Sequence, residues 1–243
     1  FIGFIFILYL LSSSAILLRN FCECLKIVYY PLTSIIFIMF GFIIAVSITN
    51  KFEFASIAKV NLILLPLVLF SVIFIFAANT RNFSTQNIFP ILGEGAMNTF
   101  VAGLGNLGAF GGVAILYLIP PYLKQPENFK KIALISTIIA LIYILLCVST
   151  ILFMFSILIN VDEIMPLYSA ARYIEFGSFF QRLESLFLLI WILEIACYLS
   201  VSIFFSMGIF KKISNVKTTK PLIMSFSFLV MSMGLLPTNF AVS

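Results

Sequence analysis

The residues whose types and spacing suggest chemistry cluster in two places. The stretch AGLGNLGAFGG (102–112) holds five of the chain's 12 glycines, Gly103, Gly105, Gly108, Gly111 and Gly112, between flanks apolar enough to lie in lipid. Glycine costs about 1 kcal/mol against alanine inside a helix, so five together weaken a helical ladder by several kcal/mol. Peptide groups released in this way need partners, and a bound polar ligand or ion supplies them. Asn106 is the sole side-chain amide of the stretch, and Phe110 is placed to stack on an occupant or gate it. Packing is the competing reading: Gly108 and Gly112 are four apart, a spacing that lets two helices approach closely. Residue types alone leave the two readings level. The second place is Glu194, in WILEIACYL, a carboxylate with no basic residue nearby in sequence. An acid inside a span reads first as a cation or proton site. A plain acid hydrogen-bonded to a neighbouring helix, or facing a wet cavity, is the alternative.

The elements that hold these residues follow from composition. The chain is 63% hydrophobic and 9% charged, with 29 Phe and a mean hydropathy of +1.20. Soluble domains carry about 25% charged residues, so most of this chain must be solvated by lipid. Histidine is absent, which removes histidine bases, histidine-ligated metals and histidine proton relays. Cys22, Cys24, Cys147 and Cys197 have neither zinc nor redox spacing, and no disulfide framework is implied. No nucleophile stands beside a base, so no enzyme is expected. No catalytic residue, metal site or cofactor is assigned. A net charge of +5, scattered along the chain, does not suggest nucleic acid.

A span needs about 20 apolar residues. Hydropathy predicts seven, at about 1–18, 32–49, 60–78, 98–119, 132–158, 183–209 and 220–236, all in one transmembrane domain over 1–243. None alternates like a barrel strand, so the fold class is all-α, a polytopic transmembrane helical protein. Pro66 predicts a kink in the third span, and Pro120-Pro121 ends the fourth. Ser12, Ser13 and Ser14 either line a cavity or bond back to their own helix, the commoner case. Loops 50–59, 120–131 and 210–219, with the adjoining Lys220, carry nine Lys and Arg, against five on the other side, which predicts that these loops are cytoplasmic. MPLYSAARYIEFGSFFQ (165–181) reads as an amphipathic segment on the outer surface. The chain begins at Phe1 within an apolar run and stops soon after the seventh span, which reads as a piece of a longer membrane protein.

Four stretches, in order, carry a resemblance. YSAARYIEFGSFFQRLESLFLLIWILEI (168–195), with Arg172, Ile174, Arg182, Glu184, Leu186, Phe187, Ile190 and Trp191, resembles the region before and within the eighth helix of the B-type subunits of spore nutrient-germinant receptors. NIFPILGEG (87–95) is similar to their Pro-x-x-Gly-Glu-Gly element. FGGVAILYLIPPYL (110–123) is similar to their Phe-Gly-x…Pro-Tyr-Leu segment, and SSSAILLRNFCECLKIVYYPLT (12–33) to the end of their third helix. The family is related to the amino acid–polyamine–organocation transporters, with ten helices in two inverted repeats. The resemblance implies a partial fold of that kind, spanning helices three to nine and lacking helices one, two and ten. It makes AGLGNLGAFGG the unwound part of helix six, with Gly105, Asn106, Gly108, Phe110, Gly111 and Gly112 as ligand-binding residues, while Glu194 stands as an intramembrane ion or proton site on its own chemistry. It further implies a multi-pass protein of the spore inner membrane that binds a small nutrient, an amino acid first, and signals to A-type and C-type receptor subunits. An ion-coupled amino acid transporter is the alternative. Gly112 departs from the family, whose members often carry Glu after the Phe-Gly of helix six, and this puts ion coupling through that carboxylate in question.

Overall fold

The computed structural model describes residues 2–91, 95–105, 112–123, 125–156, 165–174 and 183–236. Among these, every regular element is helical. They are α1 (Ile2–Val28), α2 (Ile35–Thr49), α3 (Phe54–Ala78), α4 (Ala96–Gly105), α5 (Val113–Leu116), α6 (Phe129–Met154), α7 (Pro166–Arg172), α8 (Leu183–Ser214) and α9 (Leu222–Gly234), joined in places by short 3₁₀ turns. Four segments, Ile2–Val28, Phe54–Ala78, Pro126–Met154 and Leu183–Ser214, are long and apolar enough to cross a membrane, and Ile35–Thr49 and Leu222–Gly234 are shorter apolar helices. Side chains such as Phe37, Leu62, Ile63, Phe70 and Leu134 are more than 60% exposed. In water that surface would associate; in a bilayer it is simply solvated.

The helix boundaries differ from the hydropathy boundaries in instructive places. Helix α1 runs ten residues beyond position 18, carrying Arg19 and Lys26 inside a helix rather than in a loop. Arg19 is only 8% exposed, and its Nε and Nη2 both meet Glu23 Oε1 at 2.6 Å. A carboxylate one turn away neutralises the guanidinium, so the helix continues where a residue-by-residue hydropathy sum predicts an end. Helix α3 passes through Pro66 without a break in assignment. Helix α8 closes with Asn215 at φ 57°, the left-handed residue that commonly follows a helix end.

The chain divides into two compact units, residues 1–66 with 190–243, and residues 67–189. The division falls inside α3, just after Pro66, and inside α8. In the first unit, α1 packs against α2 and α9, and α2 packs against α9. Phe21 meets Phe42 edge-on at 5.9 Å. Gly234 is the close approach of this cluster: a Cβ there would lie 2.8 Å from Met39 Cε and 3.1 Å from the Ala15 carbonyl oxygen. Small residues serve this purpose in lipid, where dispersion rather than water exclusion holds helices together.

In the second unit a buried amide does the equivalent work. Asn79, fully buried just beyond α3, donates through Nδ2 to the Ile75 carbonyl and to the Ala170 carbonyl of α7, each at 3.0 Å. Its Oδ1 accepts from Asn82 Nδ2 at 3.1 Å. Helix α7, buried through Leu167, Tyr168, Ala170 and Ala171, is thereby fastened to the end of α3. This lies within the stretch expected to rest on the outer surface.

The packing gives two expected outcomes, measured as apparent Tm in detergent or nanodiscs. Gly234→Val is expected to destabilise by about 1–3 kcal/mol, because the Ala15 backbone cannot move aside. Asn79→Leu is expected to cost about 1–3 kcal/mol, since the Ala170 carbonyl and Asn82 lose their partner, while the Ile75 carbonyl keeps the backbone amide of residue 79.

Candidate functional site

The glycine-rich stretch is described on both sides. Before it, Gly95 has φ +120°, a backbone that glycine alone adopts without strain. Its carbonyl accepts from the Thr99 amide and the Thr99 hydroxyl, both at 3.0 Å, at the start of α4. This gives a physical reason for the last glycine of the Pro-x-x-Gly-Glu-Gly element. Gly105 is the final residue of α4. Asn106, Gly108, Phe110 and Gly111 lie outside the described residues.

Beyond the stretch, Gly112 precedes the four-residue α5 with φ −58° and ψ −25°. The chain from here tightens. Ile115 N bonds to Gly112 O, Tyr117 N to Ala114 O, Leu118 N to Ile115 O and Ile119 N to Leu116 O, all three residues apart. Within the expected span of 98–119 the described α-helical stretches are Ala96–Gly105 and Val113–Leu116, and three-residue bonds carry the chain on to Ile119. Such three-residue bonding has poorer geometry than the α-ladder and often marks a hinge or functional segment.

A cavity of about 230 Å³ opens beside this turn, lined by Gly112, Val113, Leu116, Ser136, Thr137, Ala140 and Ile144. Helix α6 contributes the last four, at positions that share one face. Thr137 Oγ1 bonds back to the Ala133 carbonyl at 2.8 Å, which leaves its oxygen able to accept. The space beyond Gly112 is open, with no atom within 4 Å of where a Cβ would stand. Drug-sized ligands occupy about 300–1,000 Å³, so this cavity suits something smaller. Its walls are apolar apart from two hydroxyls, and none of the named lining residues is charged.

Glu194 belongs to the other unit and is described within it. It is half-buried in α8 and makes no hydrogen bond or ion pair with any described residue. Tyr198, Ser202 and Ser206 follow it at intervals of four, a spacing that keeps them along one side of a helix. That side faces α1. Tyr198 Oη and Ser13 Oγ are 3.1 Å apart; Ser14 Oγ donates to Ser202 Oγ at 2.7 Å; Ser202 Oγ donates to the Leu10 carbonyl at 3.0 Å. Gly3 abuts Ile209 and Ile213 farther along, so α1 and α8 run antiparallel. Of the triple serine, Ser12 bonds back to Tyr9 O as expected, but Ser13 and Ser14 cross to the neighbouring helix. The fourfold spacing of Glu194, Tyr198, Ser202 and Ser206 was the available signal for this seam.

Residues 1–241, nearly the whole chain, match the spore germination protein family. The chain belongs to that family. One relative is the spore germination protein YndE of Bacillus subtilis (strain 168), 26% identical over 163 residues, which cover 66% of this chain and 42% of the relative. The chain thus spans less than half the length of that relative. No solved structure matches. As a spore germination protein it is a multi-pass helical membrane protein of a permease-like family.

The seam makes a definite expectation. Ser202→Ala leaves the fully buried Ser14 hydroxyl without its partner. A loss of about 0.6–1.7 kcal/mol is expected, the range for hydrogen bonds between membrane helices. The Ser14→Ala, Ser202→Ala double variant is expected to lose less than the sum of the singles, which a double-mutant cycle on apparent stability measures.

Proposed function

We propose that this spore germination protein is the nutrient-sensing membrane subunit of a germinant receptor. It binds a small nutrient, an amino acid first, at the glycine-rich turn around 105–112, and partner subunits of A-type and C-type read the resulting helix arrangement as the signal to germinate. The spore inner membrane is the location that goes with this role, with loops 50–59, 120–131 and 210–219 on the cytoplasmic side. The observation that carries the reading is the open cavity of about 230 Å³ beside Gly112, where the four-residue helix α5 passes into three-residue bonds toward Ile119. Helix interruptions of this kind are where membrane transporters of related build place peptide dipoles against a guest. Gly105, Asn106, Gly108, Phe110, Gly111 and Gly112 are the proposed contacts, with Ser136 and Thr137 on the facing helix.

Germination of spores that carry single replacements tests this. Gly112→Phe fills the open space and is expected to abolish the nutrient response, with the protein present at normal level in the spore membrane. Gly112→Ala adds only a methyl group where nothing stands within 4 Å, and it is expected to retain the response. A normal nutrient response from Gly112→Phe would overturn the reading.

Glu194 favours a second reading, an ion-coupled secondary transporter of amino acids. A half-buried carboxylate with no hydrogen bond or ion pair to a described residue is the kind of group that carries a cation or proton in such proteins. Radiolabelled amino acid in membrane vesicles separates the two. Accumulation against a gradient, lost in Glu194→Gln, belongs to transport; binding without accumulation belongs to sensing.

A further inference from the structure

Three buried side-chain atoms among the described residues lack a hydrogen-bond partner: Ser47 Oγ, Asn50 Oδ1 and Ser227 Oγ. Ser47 and Asn50 are each 6% exposed and Ser227 is 0% exposed. Ser47 and Asn50 are three residues apart at the end of α2, hence on one side of its last turn. Ser227 stands on α9, which packs against α2.

The two helices can be set in register from one contact. Gly234, at the end of α9, abuts Met39, near the start of α2. Helices that touch at the end of one and the start of the other stay together along their length only when antiparallel; a parallel α2 would run past the end of α9. From that contact Ser47 lies eight residues along α2 and Ser227 seven residues back along α9. At about 1.5 Å per residue these are about 12 Å and about 10.5 Å, so the two hydroxyls stand at nearly one level. Asn50 lies about one turn farther along. All three orphan atoms therefore gather at the same end of one helix contact.

Their chemistry is acceptor-rich. Asn50 Nδ2 already donates to the Val46 carbonyl at 3.0 Å, so the unpaired Oδ1 offers acceptance alone. The N–H groups that close α2 pass over the Ser47 carbonyl: Asn50 N takes Val46 O, Lys51 N takes Ile48 O and Phe52 N takes Thr49 O. The C-terminal end of a helix also carries the negative end of its dipole. Anions are disfavoured here. Divalent ions, which prefer six to eight oxygens with carboxylates among them, are poorly served by three neutral groups.

We propose that the α2–α9 contact binds a small electropositive guest, a water molecule or a monovalent cation, through Ser47, Asn50 and Ser227. The guest satisfies the orphan oxygens and ties the end of α2 to α9. A buried water commonly makes about three hydrogen bonds, which matches the number of groups present.

The test compares Ser227→Ala and Ser47→Ala with Ser225→Ala, an exposed position on α9 that corrects for the better helix propensity of alanine. Apparent Tm is measured in lipid nanodiscs in NaCl, KCl and choline chloride at equal ionic strength. Relative to the Ser225→Ala control, each buried-site variant is expected to melt about 2–4 °C lower, because the guest loses a ligand. A cation shows itself by a higher Tm of the unaltered protein in NaCl or KCl than in choline chloride, a difference abolished by Ser227→Ala. A water shows itself by the same loss in all three salts. Equal or greater stability of both buried-site variants relative to the control overturns the proposal, since deleting an unpaired buried hydroxyl is then a gain. Should one variant fail to accumulate, the other, on the opposite helix, decides the matter by the same comparison.

Discussion

In hydrocarbon a peptide group has no solvent to bond with, and that constraint organises everything else in this molecule. It makes the described elements helical and it governs their polar side chains. Thr49, Asn61, Thr137, Thr150, Ser200 and Ser206 each turn back onto the carbonyl four residues before them. These bonds hide the polar group inside the helix that bears it. Against this background the departures stand out: serines that reach across to another helix, an amide that spans two elements, and a turn where α-bonding gives way to tighter rings.

Each departure has a different consequence. Across the α1–α8 seam, the hydroxyls of Ser13, Ser14, Tyr198 and Ser202 and the Leu10 carbonyl join two helices, so no charge has to be desolvated. Asn79 joins the end of α3 to α7 through one side chain that donates twice and accepts once, as a fully buried amide must be paired. Around Gly112 the change of bonding pattern accompanies an open space in place of a contact. Polar groups that are fully matched make rigid joints, and a backbone that is loosely matched beside a cavity leaves room for something else to complete it.

Much of this was legible from residue types. Composition established the solvent and the helical class. Hydropathy failed where charges act in pairs. It counts residues singly, so it ended the first span before Arg19, although Glu23 cancels that charge one turn later. Ser13 and Ser14 looked like self-bonded serines because their partners lie more than 180 positions away. Nothing local marks Asn79 either, for its second carbonyl sits on α7, 91 positions on. Long-range pairs leave no local periodicity, and a single sequence holds nothing else from which to read them. Of the candidate ligand contacts, only Gly105 and Gly112 fall among the described residues.

Helix α6 is the least enclosed of the long helices, with none of its most apolar stretch buried. Its firmest attachment is at the tip, where the Phe153 carbonyl takes both the Ser84 amide at 2.9 Å and Asn87 Nδ2 at 3.0 Å, and Phe153 stacks on Phe83. A rod fastened by hydrogen bonds at its tip and exposed along its apolar flanks has the build of a lever more than of a wall. Displacing the 80–89 turn would swing the far portion of α6, the portion bearing Ser136 and Thr137, and a small shift at the fulcrum would arrive there magnified.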